Sequence, residues 1–228
     1  MKLFFKIGLC CFTLIAFSQE QPNFKALDSL YREDQFYVGI SYNTIQNRPT
    51  GLGQSKITPS FSFGFLRDLP INKSRTVAIA IGLGYSINNY SENLLITEDN
   101  NTRNYSLLGA ASLYDKNKLY LDYVDLPIEF RWRNSTPDSH KFLRVYGGFK
   151  MSYLAFDRSK YVDFQSTVKV TSNPDFTKWQ CGTYLSIGYN TWNLNVYYGL
   201  KPLLQSGTLN GKAFELKTIN FGLMFYIL

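Results

Sequence analysis

The chain has 228 residues, 17% of them aromatic (17 Tyr and 18 Phe), and a formal net charge of +7. That length is one domain, and the aromatic-rich composition favours strands over helices. No internal run of about 20 apolar residues is present, which excludes a helical membrane protein but leaves a β-barrel open, since its lipid-facing and lumen-facing residues cancel in any average.

In chain order, the first element is a secretory signal over residues 1–18. Lys2 and Lys6 form its positive start, residues 7–17 its apolar stretch, and Ala16-Phe17-Ser18 resembles a small-x-small cleavage site. A lipoprotein signal at Cys10 or Cys11 is the weaker reading, because both lie too early. Cleavage leaves Cys181 alone, so no intramolecular disulfide is expected. It also leaves 22 basic against 17 acidic residues, a formal +5. These charges are scattered and read first as solvated loops, second as attraction to acidic lipopolysaccharide or an acidic partner. Export argues against nucleic acid as a ligand. Residues 19–34 form a short periplasmic segment, with Phe24, Leu27, Leu30 and Tyr31 at helical spacing; a helix and a plain linker both fit it.

Residues 35–228 then show eight alternating segments, at 35–43, 59–66, 76–89, 119–132, 142–156, 178–189, 193–200 and 215–228. Each carries one bulky apolar face, the signature of strands bordering an apolar medium on one side. In the last, Ile219, Phe221, Leu223, Phe225 and Ile227 oppose Asn220, Gly222, Met224 and Tyr226. Short and long connections alternate along the whole series. The expected fold is therefore all-β: an eight-stranded antiparallel up-and-down transmembrane β-barrel, with short periplasmic turns and long extracellular loops, integral to the cell outer membrane. Pro127 cannot donate to a ladder, so a bulge or a local ladder break is expected there.

The opposite parity faces the lumen. It carries Asp125, Glu129 and Arg131 on the fourth segment and Arg144 and Lys150 on the fifth. Matching both faces of this hairpin requires paired residue numbers with an odd sum, and Glu129 opposite Arg144 is one such solution. An eight-stranded lumen is just wide enough for side chains. The polar cluster is accordingly read as an interior salt-bridge plug in preference to an ion or substrate path.

Catalysis and metal binding have little to rest on. The sole histidine, His140, falls in a short turn beside Ser139, and neighbours in sequence need not face each other as nucleophile and base must. Glu98-Asp99 is at most a weak cation contact, and no cluster of His, Cys or carboxylates has metal-ligand spacing. The inward Gly82, Gly84 and the Gly147-Gly148 pair read as room for bulky neighbours, not as a phosphate loop. No cofactor, no metal and no enzymatic activity are expected.

Residues 120–153 carry a more specific signal. Tyr123-Val124-Asp125-Leu126-Pro127-Ile128-Glu129, followed by Arg131-Trp132-Arg133, a turn and a basic strand, resembles the PorT family of small outer-membrane β-barrels in Bacteroidota. The barrel pattern covers most of the chain, and the distinctive match is confined to this hairpin. The resemblance implies an accessory or assembly role in type IX secretion, the export route for gliding-motility adhesins and secreted hydrolases, with other secretion-system proteins as partners. The alternative is a stand-alone structural or adhesive barrel without an open pore.

Overall fold

The computed structural model describes residues 34–54, 56–100, 102–109, 112–134 and 143–227. The signal, residues 19–33 and the His140 turn lie outside these.

Eight strands close on themselves: β1 Gln35–Gln46, β2 Pro59–Pro70, β3 Val77–Tyr90, β4 Lys116–Arg133, β5 Leu143–Val162, β6 Trp179–Tyr189, β7 Trp192–Gly199 and β8 Lys217–Ile227. Each pairs antiparallel with its sequence neighbour, and β8 returns to β1 through an unbroken ladder from Phe36↔Ile227 to Gln46↔Lys217. Closure removes the sheet edge that a membrane would leave unsatisfied.

The alternation of the sequence becomes an alternation of environment. Phe36, Val38 and Ile40 of β1, Phe61 and Phe63 of β2 and Leu126, Ile128 and Phe130 of β4 point outward and are exposed. Their neighbours Gln35, Ser60, Asp125, Glu129 and Arg131 are buried inside. Polar interior and apolar exterior invert the order of a water-soluble barrel, as a hydrocarbon surround requires.

The β4–β5 hairpin is the longest ladder and differs from expectation in two respects. Glu129 faces Gly148, and Arg144 faces Arg133; the odd-sum rule holds, but Glu129 does not oppose Arg144. The bulge lies between Asp122 and Tyr123 instead of at Pro127: Asp122 pairs with Phe156 and Tyr123 with Leu154, leaving Ala155 as the extra residue. Parity on β5 therefore reverses. Phe149, Met151 and Tyr153 face out below the bulge, and Phe156 faces out above it. Pro127 does mark a break, on its other side. The β3–β4 ladder runs from Val77↔Trp132 to Ile81↔Ile128, skips Gly82 and Leu83, and resumes at Gly84↔Asp125 in the same register. The proline lacks the donor this stretch needs.

The long connections are structured. Leu94–Asp99 pairs with Thr102–Leu107, Thr167–Thr171 extends the sheet beside the end of β5, and Thr208–Leu209 pairs with Lys212–Ala213. In the last hairpin Asn210 and Gly211 both have positive φ, the conformation of a tight type I′ turn.

Candidate functional site

The interior divides into three levels. Nearest the short turns is a charged lattice. Asp68 of β2 accepts two hydrogen bonds from Arg133, at 2.9 and 2.8 Å, and a third from Arg131 at 3.1 Å. The Arg131 Nε donates to Glu129 at 2.8 Å. Glu129 also accepts from the Tyr184 hydroxyl at 2.9 Å and the Tyr226 hydroxyl at 3.3 Å. The Arg131 guanidinium lies 4.8 Å from the Tyr146 ring centre, and Arg144 sits 5.9 Å from the same ring. Asp68, Arg131 and Arg133 are all fully buried. Charges in such a place persist only when each is paired and hydrogen-bonded, and here the planar forks of two arginines close on one shared carboxylate, Asp68.

The middle level is more open. Lys150 donates to Asp125 at 3.2 Å and stands 4.7 Å from the Tyr197 ring, while Ser152 donates to Asp125 at 2.5 Å. A cavity of about 50 Å³ remains among Tyr37, Ser62, Asn88, Lys150, Asn195 and Asn220. Its polar walls suit a few waters. Inward glycines seat the large rings: a Cβ on Gly84 would strike Tyr37, and one on Gly148 would strike Tyr184. This is the room that the sequence reading assigns to both glycines.

The third level is apolar and lies over the mouth at the long-loop end. Ile45, Tyr90, Leu121, Tyr123 and Leu154 from the strand ends pack with Leu52, Ile96, Val170, Phe176, Leu203, Leu204, Leu209 and Phe214 from the connections. Tyr105 packs edge-on against Phe214 and donates to Asp175 at 2.7 Å, pinning one hairpin to another connection. Glu92 is buried in this cap with 7% exposure, 3.7 Å from Arg48. Burial pushes its carboxyl up, and Arg48 opposes that in part.

The five residues read from the sequence thus all face inward, but they form two groups. Asp125 and Lys150 make a pair in the middle level; Glu129, Arg131 and Arg144 belong to the lower lattice. Two principal members of that lattice, Asp68 and Arg133, are not in the lumen cluster expected from the sequence, because both lie beyond the strand ends that the alternation marks. Parity was the available signal: Arg133 continues Glu129 and Arg131, and Asp68 continues Ser60, Ser62 and Gly64. Glu98 is engaged by Arg103 across its hairpin at 2.6 Å. Among the described residues no group of three His, Cys, Asp or Glu could hold a metal.

No curated protein matches the chain significantly. Among solved structures it is similar to Ail, the attachment invasion locus protein of Yersinia pestis, at 13% identity over 86% of this chain and 99% of that one, with a TM-score of 0.41. It is likewise similar to Ail in complex with the heparin analogue sucrose octasulfate, at 11% identity over 86% and 99% of the two chains, with a TM-score of 0.43. Residues 17–205, most of the chain, match the family described as outer membrane protein beta-barrel domain. With its outward apolar band and closed polar interior, the chain belongs to this family of integral outer-membrane β-barrels.

Proposed function

We propose that this barrel is a non-enzymatic accessory or assembly component of type IX protein secretion, acting through protein contacts at its surface. The observation that carries the proposal is the doubly closed lumen. The charged lattice fills the end near the short turns and the apolar cap covers the other. A barrel built this way has no path to offer cargo, so its work falls to its outer surfaces. The likeness of residues 120–153 to the PorT family supplies the pathway, and the packed connections between β3 and β4 and between β5 and β6 supply candidate contact surfaces. Other secretion-system proteins are the partners this reading names.

Deleting the gene and measuring export of proteins carrying the type IX carboxyl-terminal signal tests the proposal. Loss of export, restored by the wild-type gene, is expected; normal export would remove the secretion role. The ordered cap also favours a second reading, a stand-alone adhesive barrel, because a surface with its own core is ready to bind. For that reading, deletion leaves export intact and lowers surface attachment.

A further inference from the structure

The outward face of β4 and β5 changes character above the apolar band. From Trp132 to Val124 its β4 residues are apolar; then follow Asp122, Tyr120, Lys118 and Lys116. The bulge at Ala155 sets what stands beside them. Above it Lys118 pairs with Lys160, and Lys160 pairs in turn with Lys169 of the added strand Thr167–Thr171. One rung nearer the membrane, Tyr120 pairs with Arg158. Had the lower register continued, Lys118 would face Ser159, and Lys160 would point inward. The extra residue thus gathers five cations on one outward face: Lys116, Lys118, Arg158, Lys160 and Lys169.

Three lysines in direct cross-strand register repel one another. Among the described residues, none of these five cations forms an ion pair within the salt-bridge distance. Of the nearby carboxylates, Asp163 accepts from Gln165 and Ser166 in its own turn, and Asp157 faces inward, where Asn173 donates to it; Asp122 accepts from Tyr85 and attracts Arg158 from beyond ion-pair distance. Arg158 lies 5.0 Å from the Tyr120 ring centre and 5.7 Å from that of Phe156, which fixes it at the rim. Height completes the argument. The apolar run from Trp132 to Val124 is about 27 Å of strand at about 3.4 Å per residue. At the usual tilt of about 40° it spans most of an outer-membrane lipid band, about 25 Å tall. Asp122 and Phe156 then fall at the hydrocarbon boundary, Tyr120 and Arg158 stand about 5 Å above it, and the lysine row lies among the headgroups of the outer leaflet.

We propose that this row is a docking site for the phosphate groups of an outer-leaflet glycolipid, lying flat against the β4–β5 face. The anion relieves the repulsion that the bulge creates. Lysine stems lie along the sheet while their ammonium groups reach the phosphates. The site depends on the membrane location alone and stands apart from the secretion proposal.

The test uses the full mature barrel in phosphatidylcholine nanodiscs doped with bis-phosphorylated lipid A, or with the same lipid after dephosphorylation. Lipid A retained per barrel is counted by mass spectrometry. Wild type is expected to retain the phosphorylated form preferentially, and K118Q/K160Q/K169Q to lose about tenfold of that retention. In uncharged detergent without lipid A, the triple variant is expected to melt no lower than wild type, because three like charges have gone. Should it fail to fold, the single K169Q variant and a salt titration of wild type decide, and both are expected to lower retention. Equal retention of the two lipid forms, or no loss in the variants, would overturn the proposal. Saturable binding of sucrose octasulfate with no lipid preference would assign the row to soluble polyanions and overturn it equally.

Discussion

Asp68 joins the two arginines of the interior lattice, accepting hydrogen bonds from both. It neutralises two fully buried guanidinium groups. Asp68→Asn is expected to destabilise the folded barrel by about 3–5 kcal/mol, the usual cost of leaving a buried charge uncompensated. Glu98→Gln, which removes a partner of Arg103 in a part-exposed hairpin pair, should change stability by about 1 kcal/mol or less. Urea titration of the refolded protein in micelles measures both. Glu92 gives a pH dependence of definite sign. Its carboxyl holds its proton more tightly in the folded cap than in the open chain. Its contribution is therefore fully present below the ordinary carboxylate value and is lost as pH rises through the raised folded value. Hydrogen exchange of the cap, corrected for intrinsic rates, should show opening that grows across that range in wild type and stays flat in Glu92→Gln.

At the scale of elements, the β4–β5 hairpin shows how a strand can change role along its length. Below Ala155 its outward face is apolar, and from Arg158 onward it is cationic. Glycine positions are equally specific. Gly148→Val should drive Tyr184 from its seat, break its hydrogen bond to Glu129 and cost about 1–3 kcal/mol, read in the same urea titration. Strand parity was legible in the sequence because nearly every outward position is a bulky apolar residue, so two-residue periodicity survives even in β4 with its proline. Strand length was not: Asp68, Arg133, Arg158 and Lys160 are polar, and polarity beyond a lipid band looks the same in a strand as in a turn. The ladder gap at Pro127 followed from a missing donor, whereas the bulge at Ala155 has no comparable chemical mark. The pairing rule gives odd sums without choosing among them: Glu129 opposite Arg144 satisfies it as well as the Glu129–Gly148 pair that forms. The cap was hidden for another reason. Phe176, Leu203, Leu204 and Leu209 obey no period, since a core assembled from connections has none.

For the whole molecule, two seals of different chemistry close one lumen. The charged lattice is continuous with the barrel wall, and the apolar cap is assembled from the connections. They should therefore fail separately. Phe176→Asp puts a charge in the centre of the cap. It is expected to make the connections sensitive to protease while the barrel keeps its β-sheet circular dichroism and its unheated mobility on a gel. Simultaneous loss of both would mean that the cap is needed to hold the barrel together. The central claim is that this outer-membrane barrel encloses no open path, and single-channel recording of the purified mature protein in planar bilayers tests it most directly. Current at the bare-bilayer baseline across a range of voltages is the expected result; reproducible unitary conductance steps that scale with salt would contradict it.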